Sequence, residues 1–280
     1  MVRMVIHAGF HKTGTSTVQR MLKQNRRLIN QEARVFDHTH MPAVCESARA
    51  YSVSRDLLDL LSFTYELGEF LTGLKRKLDR NICLSSENLI GNMPGRKGLR
   101  NYDAAPILMK AFAHTAGRIL PRPPEMVFYF STRDAQPWLK SCHSQHLRAV
   151  RMTLSAEEYA DTFAESAQLE RIIDMVRLAV EPHHVAIASL EDTGTLPLGP
   201  ATPILDLLEI SQELREQMTP APVTNQALPD ELCEEFLRIN RSDMPWRDLP
   251  ISKQAARDRW KWAQEDAEAA LEDQKDPSHD

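Results

Sequence analysis

The 280-residue chain predicts an α/β fold: a parallel sheet of about four to five strands flanked by helices. Two observations carry that expectation. Short apolar runs alternate with long stretches of helical periodicity, the pattern of strands joined by right-handed helical crossovers. Apolar residues make up 42% of the chain and charged residues 26%, ordinary for a globular protein and ample for a sizeable core.

The elements follow in order. RMVIHA (Arg3–Ala8) is the first strand, and TSTVQRMLKQN then carries apolar residues at helical spacing. A long helical stretch covers Ser54–Leu78 with Gly68 and Gly73 inside it. NICLSSE (Asn81–Glu87) is the second strand, and a helix over about Ala104–Leu120 stops at the prolines of PRPP. EMVFYFST (Glu125–Thr132), rich in aromatic and β-branched residues, is the clearest strand. The helix after it contains Pro137, which is tolerated only near the first turn. Ser155 and Glu158 have the spacing of a capping box and open one or two helices. HHVAIASL (His183–Leu190) is the fourth strand. The remainder is helical, broken by prolines near 197–203 and 220–222.

The organisation predicted is one α/β domain over residues 1–262 and an acidic tail over 263–280. The tail carries seven acidic residues against Lys275. It therefore holds a charge of −6 of the total −5, leaving the rest near +1. That balance argues against a general nucleic-acid binder and suits a body with local basic clusters to an anionic ligand. The four cysteines are far apart and form no C-x-x-C pair, as in a reduced cytoplasmic protein. No run approaches the roughly 18 apolar residues of a membrane span, and the strand-like start predicts no signal peptide.

Ligands of such sheets bind beyond the carboxyl ends of the strands, so chemistry is expected after Ala8, Ser86, Thr132 and Leu190. GFHKTGTST follows the first strand. Gly9 and Gly14 keep the glycine spacing of the ATP/GTP phosphate loop, G-x-x-x-x-G-K-[ST], but the lysine, Lys12, precedes the second glycine. The helix starting near Thr15 points its unpaired N–H groups and positive dipole end at the loop. With Lys12, Thr13, Thr15, Ser16 and Thr17 this makes a cradle for phosphate or sulfate. After the third strand, Arg133 sits at the strand end and Ser141 follows eight residues later, an arginine fork and a hydroxyl for a second phosphate. Glu87, at the end of the second strand, is the first candidate for a general base. Its rivals are His11, in the loop, and His143 and His146, three apart on a helix. His38 with His40, and His183 with His184, lack a third ligand at useful spacing and read as structural, so no metal is expected.

HKTGTST and the later arginine–serine pair resemble the two nucleotide signatures of sulfotransferases that use 3′-phosphoadenosine 5′-phosphosulfate. LSSENLIG, ASLEDTG and NQALPDELCEEFLRINR resemble further segments of bacterial members acting on carbohydrates or lipids. The resemblance runs from about Met4 to about Arg241. It implies a P-loop NTPase-like core with helical additions. It implies that His11, Lys12, Thr13, Gly14, Thr15, Ser16 and Thr17 belong to the donor site, with Lys12 at the oxygen bridging phosphate and sulfate. It implies that Arg133 and Ser141 take the 3′-phosphate, and that the partners are the sulfate donor and a hydroxyl or amine acceptor. Two departures stand out. Ala135 replaces the proline usual after the arginine–aspartate pair. The late glycine-rich basic loop has no clean copy, with Lys253 and Arg257 as partial substitutes. The alternatives are a P-loop nucleotide kinase, which lacks the lysine after Gly14 and a convincing Walker-B aspartate, and a non-catalytic nucleotide-binding protein.

Overall fold

Five parallel strands form the sheet: β1 (Arg3–His7), β2 (Ala33–Asp37), β3 (Asn81–Ser85), β4 (Glu125–Thr132) and β5 (His184–Ser189). This computed structural model describes residues 2–222 and 228–273, with side chains through residue 266. Residues 225–227, which open the NQALPDELCEEFLRINR stretch, and 274–280 of the acidic tail lie outside the described residues. Four strands fall where the apolar runs predict them. The fifth, β2, has the sequence ARVFD, whose apolar run is too short and too charged to stand out.

The spatial order is β2-β3-β1-β4-β5. The chain leaves β1 toward the β2 edge, but leaves β3 across β1 toward β4. Neighbouring strands β1 and β3 therefore send their connections in opposite directions. The crevice at their carboxyl ends is the topological switch point, where such sheets bind ligands.

Contacts divide the chain into two compact units, Met1–Trp138 with Phe163–Asn225, and Leu139–Thr162 with Gln226–Asp280. The first unit holds the sheet with α1 (Thr15–Gln24), α2 (Arg26–Ile29), α3 (Pro42–Ser54), α4 (Leu57–Leu74) and α5 (Ala105–Ile119). Helix α6 (Ala135–Ala149) carries the chain from this unit into the other, which also contains α7 (Ala156–Thr162). The chain then returns through α8 (Leu169–Ala179), α9 (Leu190–Thr193), α10 (Thr202–Leu207) and α11 (Gln212–Glu216) to the first unit. The second unit closes with α12 (Asp230–Arg241) and α13 (Leu249–Asp273).

Alternation along the strands sends side chains to two cores, because successive strand residues face opposite ways. Val5, Cys83 and Tyr129 join Val18, Met21 and Leu22 of α1, Ile204 and Leu205 of α10 and Leu214 of α11. On strands whose intervening residues are equally buried, Phe128 meets Phe112 of α5 edge-on, with ring centroids 6.1 Å apart. In the second unit, Ser155 and Glu158 exchange backbone–side-chain hydrogen bonds of 2.7 and 3.1 Å, the expected capping box. Helix α12 buries Leu232, Phe236 and Ile239 at helical spacing, and Asn240 donates to the Leu147 carbonyl.

Candidate functional site

The glycine-containing loop leaves β1 after His7, a residue that the sheet register places between Ser85 and Tyr129. His7 is fully buried, and its Nδ1 lies 2.8 Å from the Ser85 hydroxyl. Burial pushes its pKa down to about 4, against the opposing pull of Glu87. Gly9 follows in close contact with β4: a Cβ there would lie 2.7 Å from the Ser131 hydroxyl. Any side chain there would have to displace the Ser131 hydroxyl, which is already bonded to Thr13.

Four side chains from distant parts of the first unit fix the loop. The Thr13 hydroxyl donates to the Phe10 carbonyl at 2.6 Å and shares a 2.6 Å hydrogen bond with Ser131. The Trp138 indole donates to the His11 carbonyl at 2.8 Å. The Tyr102 hydroxyl lies 3.3 Å from the His11 amide and 3.1 Å from its Nδ1. Arg133 donates from a terminal guanidinium nitrogen to the Lys12 carbonyl at 3.2 Å. These anchors hold Lys12 in the left-handed region at φ 69°, which costs a side-chain-bearing residue on the order of 1 kcal/mol. Backbone strain of this kind concentrates at ligand clamps and active sites.

Gly14 caps α1 at φ 90°, and its carbonyl accepts from the amides of Thr17 and Val18 at 2.9 and 3.1 Å. A Cβ on Gly14 would stand 2.8 Å from the Leu190 side chain. The amides that open α1 have no acceptor within the helix, so they and the dipole end face the loop. Thr15 is buried, Thr17 partly exposed and Ser16 exposed. The Thr13 hydroxyl is thus bonded within the protein, while Lys12, Ser16 and Thr17 keep some exposure beside the loop's backbone.

Tyr102 also positions the His11 ring. The Tyr102 oxygen accepts from the His11 amide and lies within hydrogen-bond distance of Nδ1, which holds the ring in place. Burial lowers the His11 pKa to about 4. Glu87 opposes the shift, while Arg96, Lys12 and Arg49 add to it. His11 is therefore a neutral donor at pH 7.

Glu87 opens a 3₁₀ turn (Glu87–Ile90) capped by the Ser86 hydroxyl, which accepts from the Asn88 amide at 3.2 Å. Gln19, one face of α1, donates to one carboxylate oxygen of Glu87 at 3.0 Å. This links the helix after β1 to the end of β3 across the switch-point crevice. At the end of β4, Arg133 keeps an ion-pair distance of 3.9 Å to Glu191, in the turn after β5. Its buried Nε has no hydrogen-bond partner among the described residues. That Nε is the atom facing Glu191, so the guanidinium's charge is partly matched by a carboxylate while its Nε donor stays unbonded.

His11, Lys12, Thr13, Gly14, Thr15, Ser16, Thr17, Glu87 and Arg133 thus meet at the carboxyl edge of the sheet in the first unit. Ser141 lies in the second turn of α6, within the second unit, and is partly exposed. His143 and His146, the rival bases, are buried there. His143 lies 2.9 Å from the Leu154 carbonyl, and His146 lies 3.0 Å from the Tyr159 hydroxyl. Both rings pack against Tyr159, which fits a structural role. His40 pairs with Asp37 at 2.8 Å. Gln19, Tyr102, Ser131 and Trp138 carry no motif in the sequence; their roles come from contacts spanning 68 to 127 positions. In the second unit, Lys253 is buried and donates to the Val150 carbonyl at 3.0 Å, with its pKa lowered to about 8 by burial and by Arg151.

No protein-family model and no curated protein matches the chain. Among solved structures it is similar to a thymidine kinase, EHV4-TK complexed with TP4A, at 13% identity and a TM-score of 0.26, covering 84% of this chain and 97% of that one. The same kinase complexed with TP5A aligns at 10% identity and a TM-score of 0.25, covering 85% and 96%. Likeness this low carries no statement about activity. The α/β fold rests on the sheet itself: five parallel strands, helices on both faces, and a strand–loop–helix turn of P-loop type after the central strand.

Proposed function

We propose that the chain is a sulfotransferase. It moves a sulfuryl group from 3′-phosphoadenosine 5′-phosphosulfate to a hydroxyl or amine of a carbohydrate, lipid-linked or small-molecule acceptor, and releases adenosine 3′,5′-bisphosphate. The observation that carries this reading is the hydrogen bond from Arg133 to the Lys12 carbonyl. It joins two segments 121 positions apart, each an anion site by its own chemistry. A donor with phosphate groups on both sides of its ribose calls for two such sites, one at the loop and one at the arginine.

Transfer is in line. The acceptor oxygen or nitrogen bonds to sulfur as the bond from sulfur to the bridging phosphate oxygen breaks. The electron pair stays on that oxygen, and the acceptor proton passes to Glu87. The Lys12 ammonium and the amides opening α1 stabilise the charge that develops there, more in the transition state than before it. Gln19 orients the Glu87 carboxylate, and His11 stays neutral beside the loop. Arg133 holds the 3′-phosphate. The chain's own cations supply the positive charge, so no metal enters this scheme.

Thermal unfolding with adenosine 3′,5′-bisphosphate, against ATP with magnesium, tests the donor. Stabilisation by the metal-free bisphosphate that exceeds that from ATP supports the reading. The reverse order favours nucleotide phosphotransfer. Bisphosphate binding without transfer from labelled donor, over a screen of hydroxyl and amine acceptors, favours a non-catalytic binder.

A further inference from the structure

Cationic side chains beyond those assigned to the donor lie within electrostatic reach of the loop. Arg49 lies on α3, and Arg96 lies on the segment after the Glu87 turn. Both stand near enough to the His11 ring for their charges to be felt there, together with Lys12 and opposed by Glu87. Three cations and one carboxylate therefore lie within electrostatic reach of a single imidazole. Among the described residues, neither Arg49 nor Arg96 has a carboxylate within ion-pair distance. The Arg96 Nε is buried and has no hydrogen-bond partner among them. An unmatched buried guanidinium donor is costly, and an anion removes the cost.

The backbone that carries these arginines is fixed. The Asn92 side chain donates to the Arg49 carbonyl at 2.8 Å, and the Asn92 amide donates to the Ser52 hydroxyl at 3.0 Å. Ser52 in turn donates to the Arg49 carbonyl at 2.7 Å. Ser52 and Asn92 are both buried. Arg96 sits in a turn closed by bonds from its amide to the Met93 carbonyl at 3.3 Å and from the Gly95 amide to the Leu99 carbonyl at 2.8 Å. Cys45, one turn before Arg49 on α3, donates to the Ser86 hydroxyl at 3.4 Å, so two arginines on locked backbone near the turn of the proposed base suit a fixed anion on the acceptor side.

We propose that Arg49 and Arg96 form an anion subsite for the acceptor, so that the substrate is an acidic molecule carrying a carboxylate or sulfate group near the hydroxyl or amine that receives the sulfuryl group. The proposal rests on the sulfotransferase reading. The net charge of −5 lies in the acidic tail, and a body near +1 with a local excess of cations attracts such a molecule.

The test uses the full chain saturated with adenosine 3′,5′-bisphosphate. Calorimetric titration compares 4-nitrophenyl glucuronide and 4-nitrophenyl sulfate, one for each anion, with neutral 4-nitrophenyl glucoside. At least one anionic probe is expected to bind about tenfold or more tightly than the glucoside, the scale of one charge-assisted hydrogen bond. Arg49→Gln and Arg96→Gln should each remove that preference, and Arg96→Lys should retain part of it. Bisphosphate affinity should stay within about twofold in all three. Arg96→Lys keeps the charge and serves as the readout where a glutamine variant fails to fold. Equal binding of all three probes by the wild-type chain overturns the proposal, as does loss of bisphosphate affinity in the variants, which would assign these arginines to the donor. Failure of the bisphosphate to bind at all instead defeats the underlying sulfotransferase reading.

Discussion

Lys12 joins strain and charge in one residue. Its left-handed backbone is held by the Arg133 bond to its carbonyl and by the anchors on either side. Glycine adopts that conformation without strain, but raises the entropy of the unfolded chain. Lys12→Gly is therefore expected to leave the unfolding free energy within about 1 kcal/mol of wild type, measured in urea. Sulfuryl transfer should fall about 10²-fold or more, because the charge meant for the leaving oxygen is gone. Glu87→Gln keeps an oxygen to accept from Gln19, so geometry should survive. Its kcat is expected to drop about 10²–10⁴-fold while bisphosphate affinity is unchanged. An unchanged rate would remove Glu87 from the base role. At this scale the sequence was partly legible. Lys12, Glu87 and Arg133 stand at strand ends and are found by position. Tyr102 and Gln19 are invisible there, because nothing local marks a tyrosine that orients a histidine 91 positions away.

The elements were read most accurately where burial is continuous. Strand β4 is buried at every position but its first, and β1 and β3 at every position but theirs; such runs announce themselves. Strand β2 is an edge strand with Arg34 and Asp37 only partly buried, and Arg34 pairs with Asp79 across 3.0 Å. Charge on an edge protects it from pairing with other chains and also hides its strand character. Helix α4 begins at Leu57, later than periodicity alone suggests, because the Asp56 side chain accepts from the Leu58 amide at 2.7 Å and sets the start. The loop-to-α1 junction makes the sharpest prediction at this scale. Gly14→Ala forces a left-handed alanine and puts its Cβ against Leu190. It should lower stability by about 1–2 kcal/mol in chemical denaturation and weaken bisphosphate binding, since the α1 amides move with the cap. A variant with wild-type affinity would show that those amides do not hold the ligand.

For the molecule as a whole, buried and half-buried histidines make stability depend on pH. His7 and His11 both have pKa values lowered to about 4, first by burial, and burial also lowers His143 and His183. Between pH 6.5 and about 4 the unfolded chain binds protons that the folded chain refuses. Their stabilising contribution is complete above pH 6.5, falls as pH drops through that window and levels below about 4. For His7 alone it amounts to about 3 kcal/mol. Asp37 acts lower. Burial raises its pKa, but hydrogen bonds from Thr39 and His40 outweigh it and hold the value to about 2, so its contribution is lost only below the ordinary carboxylate range. Urea unfolding from pH 7 to pH 4 should show stability falling steeply, and His7→Asn should flatten the fall by one proton's worth. An equally steep fall in the variant would place the proton uptake elsewhere. Alternating strands and helices made the fold class legible because burial dictates it. The strand order was not, because crossover direction is set by packing between distant elements.

Trp138 gives the loop an optical reporter. Its indole is buried and bonded to the His11 carbonyl, whereas Trp246 and Trp262 are exposed. Excited indole emits at a wavelength set by its surroundings and by the partner of its N–H. A ligand that shifts the His11 carbonyl should therefore change the blue emission of one tryptophan, readable in a chain with the other three replaced by phenylalanine.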